Sequence, residues 1–270
     1  MKIGVSTASL FCKMPLEEVF ATIKSFGTEL VEVFLDSYSE YDEDFARLLR
    51  SRMTENDLRA FSVHPLGTQF ESQLFSIHDR QKADAVKVFE KVLRAGQILG
   101  ASCYVMHGPA HLSGVAKNLQ MERIIAVMNE LMDIADGYGI QLALENVSYC
   151  VYHEPKFGRL LADGIGGHRL KFVLDIKQAV RIGVSPFEII DAVGEDIINV
   201  HLCDYAIKGE RIDLRMPGEG EFDFARFIKV LKDKGYKGNM FIEVYSDMYK
   251  NFDELRKSYQ YLDYLCSQYE

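Results

Sequence analysis

Eight short runs rich in β-branched, aliphatic and aromatic residues punctuate the chain: KIGVST, LVEVFL, RAFSVH, SCYVMH, IQLALEN, LKFVLD, IINVHL and NMFIEVY. Between them apolar residues return at three- and four-residue spacing. This predicts helices over Leu16 to Phe26, Asp42 to Asn56, Asp79 to Leu99, Lys117 to Tyr138, Pro186 to Val193, Phe222 to Lys234 and Phe252 to Ser267. A weaker helical pattern covers Glu154 to Ala162. Gly27, Gly100, Gly139, Gly194 and Gly235 stand where helix-to-strand turns are expected. Strands alternating with helices through short turns imply a parallel sheet, and eight repeats favour closure into a (β/α)8 barrel of the TIM type over an open doubly wound sheet.

Within the strands the alternation has a consistent phase. Leu142 and Leu144 oppose Gln141, Ala143 and Glu145, while Met240, Ile242 and Val244 oppose Phe241 and Glu243. By the same reading Asp175 opposes Phe172 and Leu174, and His201 opposes Ile198, Val200 and Leu202. The bulky aliphatics are expected to face the helices, and Glu145, Asp175, His201 and Glu243 the barrel axis at its C-terminal mouth. Three of these residues are hard oxygen donors and one is an imidazole. Such a set suits one divalent ion per chain, Mn2+ first, with Mg2+, Co2+ or Zn2+ as alternatives.

Length and charge narrow the partners. The chain has 270 residues, close to the roughly 250 typical of one closed barrel, so residues 1–270 are read as a single domain. A net charge of -9 disfavours nucleic acid, and no apolar run approaches the roughly 18 residues of a membrane span. Five scattered cysteines without CxxC spacing, and an N-terminus that reads as a strand, point to a reducing, cytoplasmic setting. A homo-oligomer is left open.

Other polar groups lie near the expected mouth. His64 and His107 end the third and fourth strands with inward phase, and Glu32 has inward phase as a partner for one histidine. Lys177, Gln178 and Arg215 follow ligand-bearing strands and are candidates for substrate contact, together with His64 and His107. Phe11, Phe70, Tyr149 and Tyr205 are candidates for an apolar wall against a sugar ring.

The motifs SVHPL, VMHGP, LALEN, FVLDIKQA, NVHLCDY, MPGEGEFDF and FIEVY occur in an order that resembles the xylose isomerase-like TIM barrel superfamily. That group contains sugar isomerases and epimerases and also endonuclease IV. The resemblance implies that Glu145, Asp175, His201 and Glu243 align with the metal ligands of ketose 3-epimerases, in which the two glutamates also handle the proton. Three departures matter. Gln178 stands where many members have the histidine of D-x-x-H, and Asp213-Leu214-Arg215 stands where endonuclease IV has D-x-H. Asn146-Val147-Ser148-Tyr149 follows Glu145, unlike the E-P-x-N-R of ketose 3-epimerases.

These features predict a metal-dependent isomerase or epimerase of a sugar or related hydroxycarbonyl compound, with Glu145 and Glu243 as base and acid through an enediolate. The alternatives are an inosose-dehydratase-like lyase, an endonuclease IV-like phosphodiesterase and a noncatalytic carbohydrate-binding barrel. Gln178 and Arg215 in place of imidazoles weigh against the phosphodiesterase.

Overall fold

A computed structural model describes residues 1–111, 119–209 and 211–269. Its central sheet is a closed parallel barrel of β1 (Ile3–Ser6), β2 (Leu30–Leu35), β3 (Arg59–Pro65), β4 (Cys103–Met106), β5 (Gln141–Glu145), β6 (Lys171–Asp175), β7 (Ile197–Leu202) and β10 (Asn239–Ile242). Neighbours follow chain order, and β1 closes the ring by pairing with both β2 and β10. The expected (β/α)8 barrel is the observed fold.

The helices pack outside. They are α1 (Val19–Lys24), α2 (Glu43–Glu55), α3 (Glu71–Leu74), α4 (Asp79–Leu99), α5 (Met121–Gly137) and α6 (Pro155–Ile165). After the sixth strand come α7 (Ile176–Arg181), α8 (Pro186–Val193), α9 (Phe224–Asp233) and α10 (Phe252–Ser267). Local chemistry explains several ends. Ser185 and Glu188 form a capping box around Pro186 at the start of α8, satisfying amide groups that the first turn cannot pair internally. Gly100 closes α4 at φ 77°, a left-handed turn that a side chain would strain. Gly194 departs from that expectation with φ -56°, and the chain runs on into a short 3-10 turn. The expected start of the fifth helix at Lys117 lies outside the described residues.

The main core lies between barrel and helices, where side chains such as Leu142, Leu144, Phe172, Leu174, Val200 and Ile242 are buried. Each such side chain contributes about 1.5–3 kcal/mol by leaving water. A second, smaller cluster fills the barrel itself: Cys103, Val105, Ala143 and Val173, with Phe61 and Ile198 against it. Ile198 corrects the expected phase. The ladder between β6 and β7 steps from Ile197 to Asn199, so Ile198 is an extra residue and turns to the inner cluster rather than siding with Val200 and Leu202. The ladder between β2 and β3 steps from Ala60 to Ser62. Phe61 is the extra residue there and stacks on Phe241.

One element lies between the seventh expected strand and the helix expected from Phe222, where neither strand nor helix is expected. Residues after β7 form an antiparallel hairpin of β8 (Asp204–Lys208) and β9 (Arg211–Arg215). The buried Asp204 roots it by accepting the backbone N–H of Tyr205, Gly218, Gly220 and Phe222 at 2.8–3.0 Å. A Cβ on Gly220 would lie 2.3 Å from Asp204 Oδ1, which is why the MPGEGEFD segment needs glycine at that point.

Candidate active site

The polar strand ends converge. Asp175 pairs directly across the ladder with His201, and the backbone N–H of Glu243 bonds the Leu202 carbonyl. His201 Nδ1 lies 3.0 Å from Glu145 Oε1, 3.1 Å from Glu243 Oε2 and 3.7 Å from Asp175 Oδ2. Asp175 is held twice. Asn146 bonds its main chain in both directions, and its own Oδ1 caps α7 by accepting the N–H of Gln178 at 2.9 Å. The side chain is therefore fixed by the same local structure that starts the helix.

Glu32 organises the other side of the cluster. It accepts hydrogen bonds from the Ser62 hydroxyl at 2.6 Å and Asn199 Nδ2 at 2.9 Å, and lies 3.1 Å from His201 Nε2. That contact suits a proton on Nε2 and leaves Nδ1 to face the other carboxylates. Glu32 is also 3.4 Å from His64 Nδ1, so it serves two histidines rather than the single one expected. His64 Nε2 is 2.8 Å from His107 Nε2, and His107 Nε2 is 2.9 Å from Glu145 Oε2.

Lys177 penetrates the cluster more deeply than its position after a strand suggests. Its ammonium is buried and bonds Asp175 Oδ2, with Glu243 Oε1 at 2.6 Å. Burial opposes the charge on Lys177, but Asp175, Glu243 and Glu145 outweigh it and push the pKa well above the ordinary lysine value. Burial likewise opposes protonation of His64. Glu243 and Glu32 reverse that effect and raise its pKa to about 10. For Glu243, burial acts upward and His201 with Lys177 act downward, bringing the carboxyl to about 2. Burial is similarly overcome at Glu145 and Glu32, whose pKa values fall well below the usual carboxylate range under the influence of His201 first.

One donor atom from each of Glu145, Asp175, His201 and Glu243 lies within 4.8 Å of the others. Glu145 Oε2 and Glu243 Oε2 are buried without a hydrogen bond of good geometry, their neighbours being His107 Nε2 at 2.9 Å and His201 Nδ1 at 3.1 Å. Three carboxylates and one imidazole gathered this closely fit a divalent ion, which would take the place of the His201 proton between Glu145 and Glu243. Two other groupings share members with that set among the described residues: Glu32, His64, His201 and Glu243, and His64, His107 and Glu145.

Above the cluster lies a cavity of about 180 Å3. Its floor carries His64, His107, Glu145, Lys177, Gln178 and Glu243, and its walls include Phe11, Phe34, Tyr149 and Tyr245. Gln178 Oε1 accepts both the N–H and the hydroxyl of Ser148. Of the expected aromatic wall, Phe11 and Tyr149 are present. Phe70 is instead buried in the core, and Tyr205 packs beside Phe222. Arg215 is not in this cavity; it stands on β9, 3.4 Å from Asp213. Sequence reasoning missed Ser62, Asn199 and Glu71. Glu71 is buried on α3 and accepts the backbone N–H groups of His107 and Gly108. The missed signal was polarity inside otherwise apolar strands and at a short helix.

The family model described as xylose isomerase-like TIM barrel matches residues 20–265. The chain is 25% identical over 134 residues to an inosose isomerase of Halalkalibacterium halodurans, a stretch covering 46% of each chain. The match thus spans about half the length of that relative. Among solved structures, the IOLI protein with a binding zinc atom is similar at a TM-score of 0.81 and 19% identity, covering 100% of this chain and 99% of that one. D-psicose 3-epimerase with D-tagatose from Clostridium cellulolyticum H10 is similar at a TM-score of 0.80 and 16% identity, covering 98% and 99%.

Proposed function

Because the chain belongs to the xylose isomerase-like TIM barrel family, we propose that it is a divalent-metal-dependent isomerase or epimerase of a sugar or related hydroxycarbonyl compound. One observation carries this reading: Glu145 and Glu243 meet the same His201 nitrogen on one cavity floor, and each keeps a buried oxygen without a hydrogen bond. Two carboxylates so placed are suited to moving a proton at carbon. No side chain placed as a nucleophile is needed.

Glu145, Asp175, His201 and Glu243 would hold the ion. When bound, it would supply positive charge beside the substrate's carbonyl and neighbouring hydroxyl oxygens. One glutamate takes the proton from the carbon next to the carbonyl, and the other returns a proton. Return to the opposite face inverts that carbon; return to the former carbonyl carbon on the same face, with the hydroxyl proton passing to the former carbonyl oxygen, moves the carbonyl. Glu32 keeps His201 oriented throughout. His64 and His107 are placed to hold substrate hydroxyls, Lys177 to donate to a substrate oxygen, and Gln178 to offer its amino group while Ser148 occupies its carbonyl. The oxygen-rich set favours Mn2+, and the zinc atom of the IOLI neighbour makes Zn2+ the second ion to test.

Incubation of ketoses, ketose phosphates and inososes with metal-loaded protein in D2O should place deuterium on the carbon beside the carbonyl of at least one of them. Inososes come first because the curated relative is named an inosose isomerase. Turnover of a substrate without any exchange would end the proton-transfer reading. Elemental analysis should give one ion per chain, and Asp175→Ala should lose it. Near-zero loading of both proteins in manganese-containing buffer would remove the metal site.

A further inference from the structure

The hairpin builds a second polar surface. Along β9, Arg211, Asp213 and Arg215 share one face while Ile212 and Leu214 share the other, and Lys208 pairs directly with Arg211 across the hairpin. Asp213 is thereby surrounded by three cations: Lys208 at 2.9 Å, Arg211 at 3.0 Å and Arg215 at 3.4 Å. A fourth cation, Arg181, closes α7 and joins Arg211, Asp213 and Arg215 around an open cavity of about 470 Å3. Glu221 accepts the N–H of Ile207, and Glu210 lies outside the described residues. In a chain with net charge -9, three cations around Asp213 and Arg181 across the cavity are a local reversal of sign.

Two features connect this shelf to the candidate active site. Arg181 donates to the Tyr245 hydroxyl at 2.7 Å and its guanidinium stacks 5.1 Å from that ring, while Tyr245 is also a wall of the catalytic cavity. Gln178, on the floor of that cavity, is one helical turn before Arg181 on α7. Asp204 and its four backbone partners anchor the hairpin at Arg215, the residue paired with Asp204. The guanidinium forks are therefore mounted on fixed backbone, one of them already oriented by an aromatic ring and a hydroxyl.

We propose that this arginine shelf holds the anionic end of the substrate, a phosphoryl or carboxylate group, while its hydroxycarbonyl end lies between Glu145 and Glu243. The second half of that statement rests on the isomerase reading. The shelf itself does not. Arginine forks match the oxygens of either anion in a bidentate manner, and a ligand of that charge competes with Asp213 for Arg211 and Arg215. Tyr245 marks the boundary between the two ends.

Calorimetric titration without turnover separates the two claims. A ketohexose phosphate should bind at least about tenfold more tightly than the unphosphorylated ketohexose, the minimum expected of one charge-assisted hydrogen bond. A ketohexonate serves as the carboxylate arm, and whichever anion binds more tightly identifies the source of the charge. The preference should vanish in the Arg181→Gln, Arg215→Gln double variant, with inorganic phosphate losing affinity in parallel and metal content unchanged. Arg181→Lys keeps the charge without the fork and should retain only part of the preference. Equal binding of charged and neutral ketoses by the native protein, or a preference that survives the double substitution, overturns the shelf. Anion binding that depends on both arginines in a protein inactive towards every compound supports the shelf and removes the isomerase reading instead.

Discussion

The lower and upper interiors of the barrel are built by the same strands and have opposite chemistry. In β5 and β6, Ala143 precedes Glu145 and Val173 precedes Asp175; at the ends of β4 and β10, Val105 precedes His107 and Phe241 precedes Glu243. One pleat, about 7 Å along a strand, separates an apolar residue from a titratable one on all four. Below, Phe61 and Phe241 stack at 5.6 Å and seal the axis. Above, carboxylates, imidazoles and one ammonium neutralise one another without water-sized separation. The lower layer should therefore govern stability and the upper layer should govern chemistry, because only the upper layer presents buried charges that another cation or a substrate can engage.

Substitution on each side of that boundary is the strongest way to break the comparison. Phe241→Ala removes a fully buried ring from the stack and should cost about 3–5 kcal/mol in urea unfolding, while leaving metal content unchanged. Loss of the ion in a variant that still folds would show that the two layers are not separable. In the upper layer, Glu145→Gln or Glu243→Gln should slow proton exchange by at least ~10²-fold, with some loss of stability because each charge is paired inside the buried cluster. Metal content must be measured in both variants. A metal-loaded variant that exchanges at the native rate would exclude that glutamate as base or acid.

A smaller change sharpens the picture of the upper layer. Lys177 occupies oxygens of Asp175 and Glu243, so Lys177→Met should tighten Mn2+ binding by about tenfold, equivalent to ~1.4 kcal/mol. Weaker binding would mean that Lys177 orients the carboxylates for the ion rather than competing with it. The smallest effect concerns Glu71, which lies beside the boundary and holds the end of β4. Burial raises its pKa against the pull of His107 and its hydrogen bonds. An acid with a higher pKa in the folded state binds its proton more tightly there. Its contribution therefore favours folding at low pH and fades as pH rises above the ordinary glutamate value of about 4.3 and through the raised value. Melting curves between pH 4 and 8 should show Glu71→Gln gaining on the native protein as pH rises; a constant difference would show that Glu71 titrates normally.

Much of the upper layer was legible because period-two alternation is a direct imprint of the pleat. Glu145, Asp175, His201 and Glu243 were each readable from their own strand. The inserted residues Phe61 and Ile198 were not, since a bulge adds one residue without changing composition. Nor could the sequence show Lys177 turning back onto Asp175 and Glu243, because that depends on the angle at which α7 leaves β6. The hairpin did leave a trace: Ile212 and Leu214 alternate with Arg211, Asp213 and Arg215 after Gly209, although Ala206 breaks the same alternation between Tyr205 and Ile207. No strand was expected in that stretch, and Arg215, which follows a ligand-bearing strand, was expected to contact substrate in the cavity rather than to stand on the shelf beside it.

Asp204 has a consequence for how such a protein can diversify. Four hydrogen bonds from backbone N–H groups close the base of the hairpin onto one buried carboxylate, so the segment from Tyr205 to Leu214 behaves as a cassette plugged into a fixed socket. Its length and side chains can be exchanged without disturbing the barrel's hydrogen-bond ladder, which makes it the natural place to graft new selectivity while the chemistry beneath is left intact.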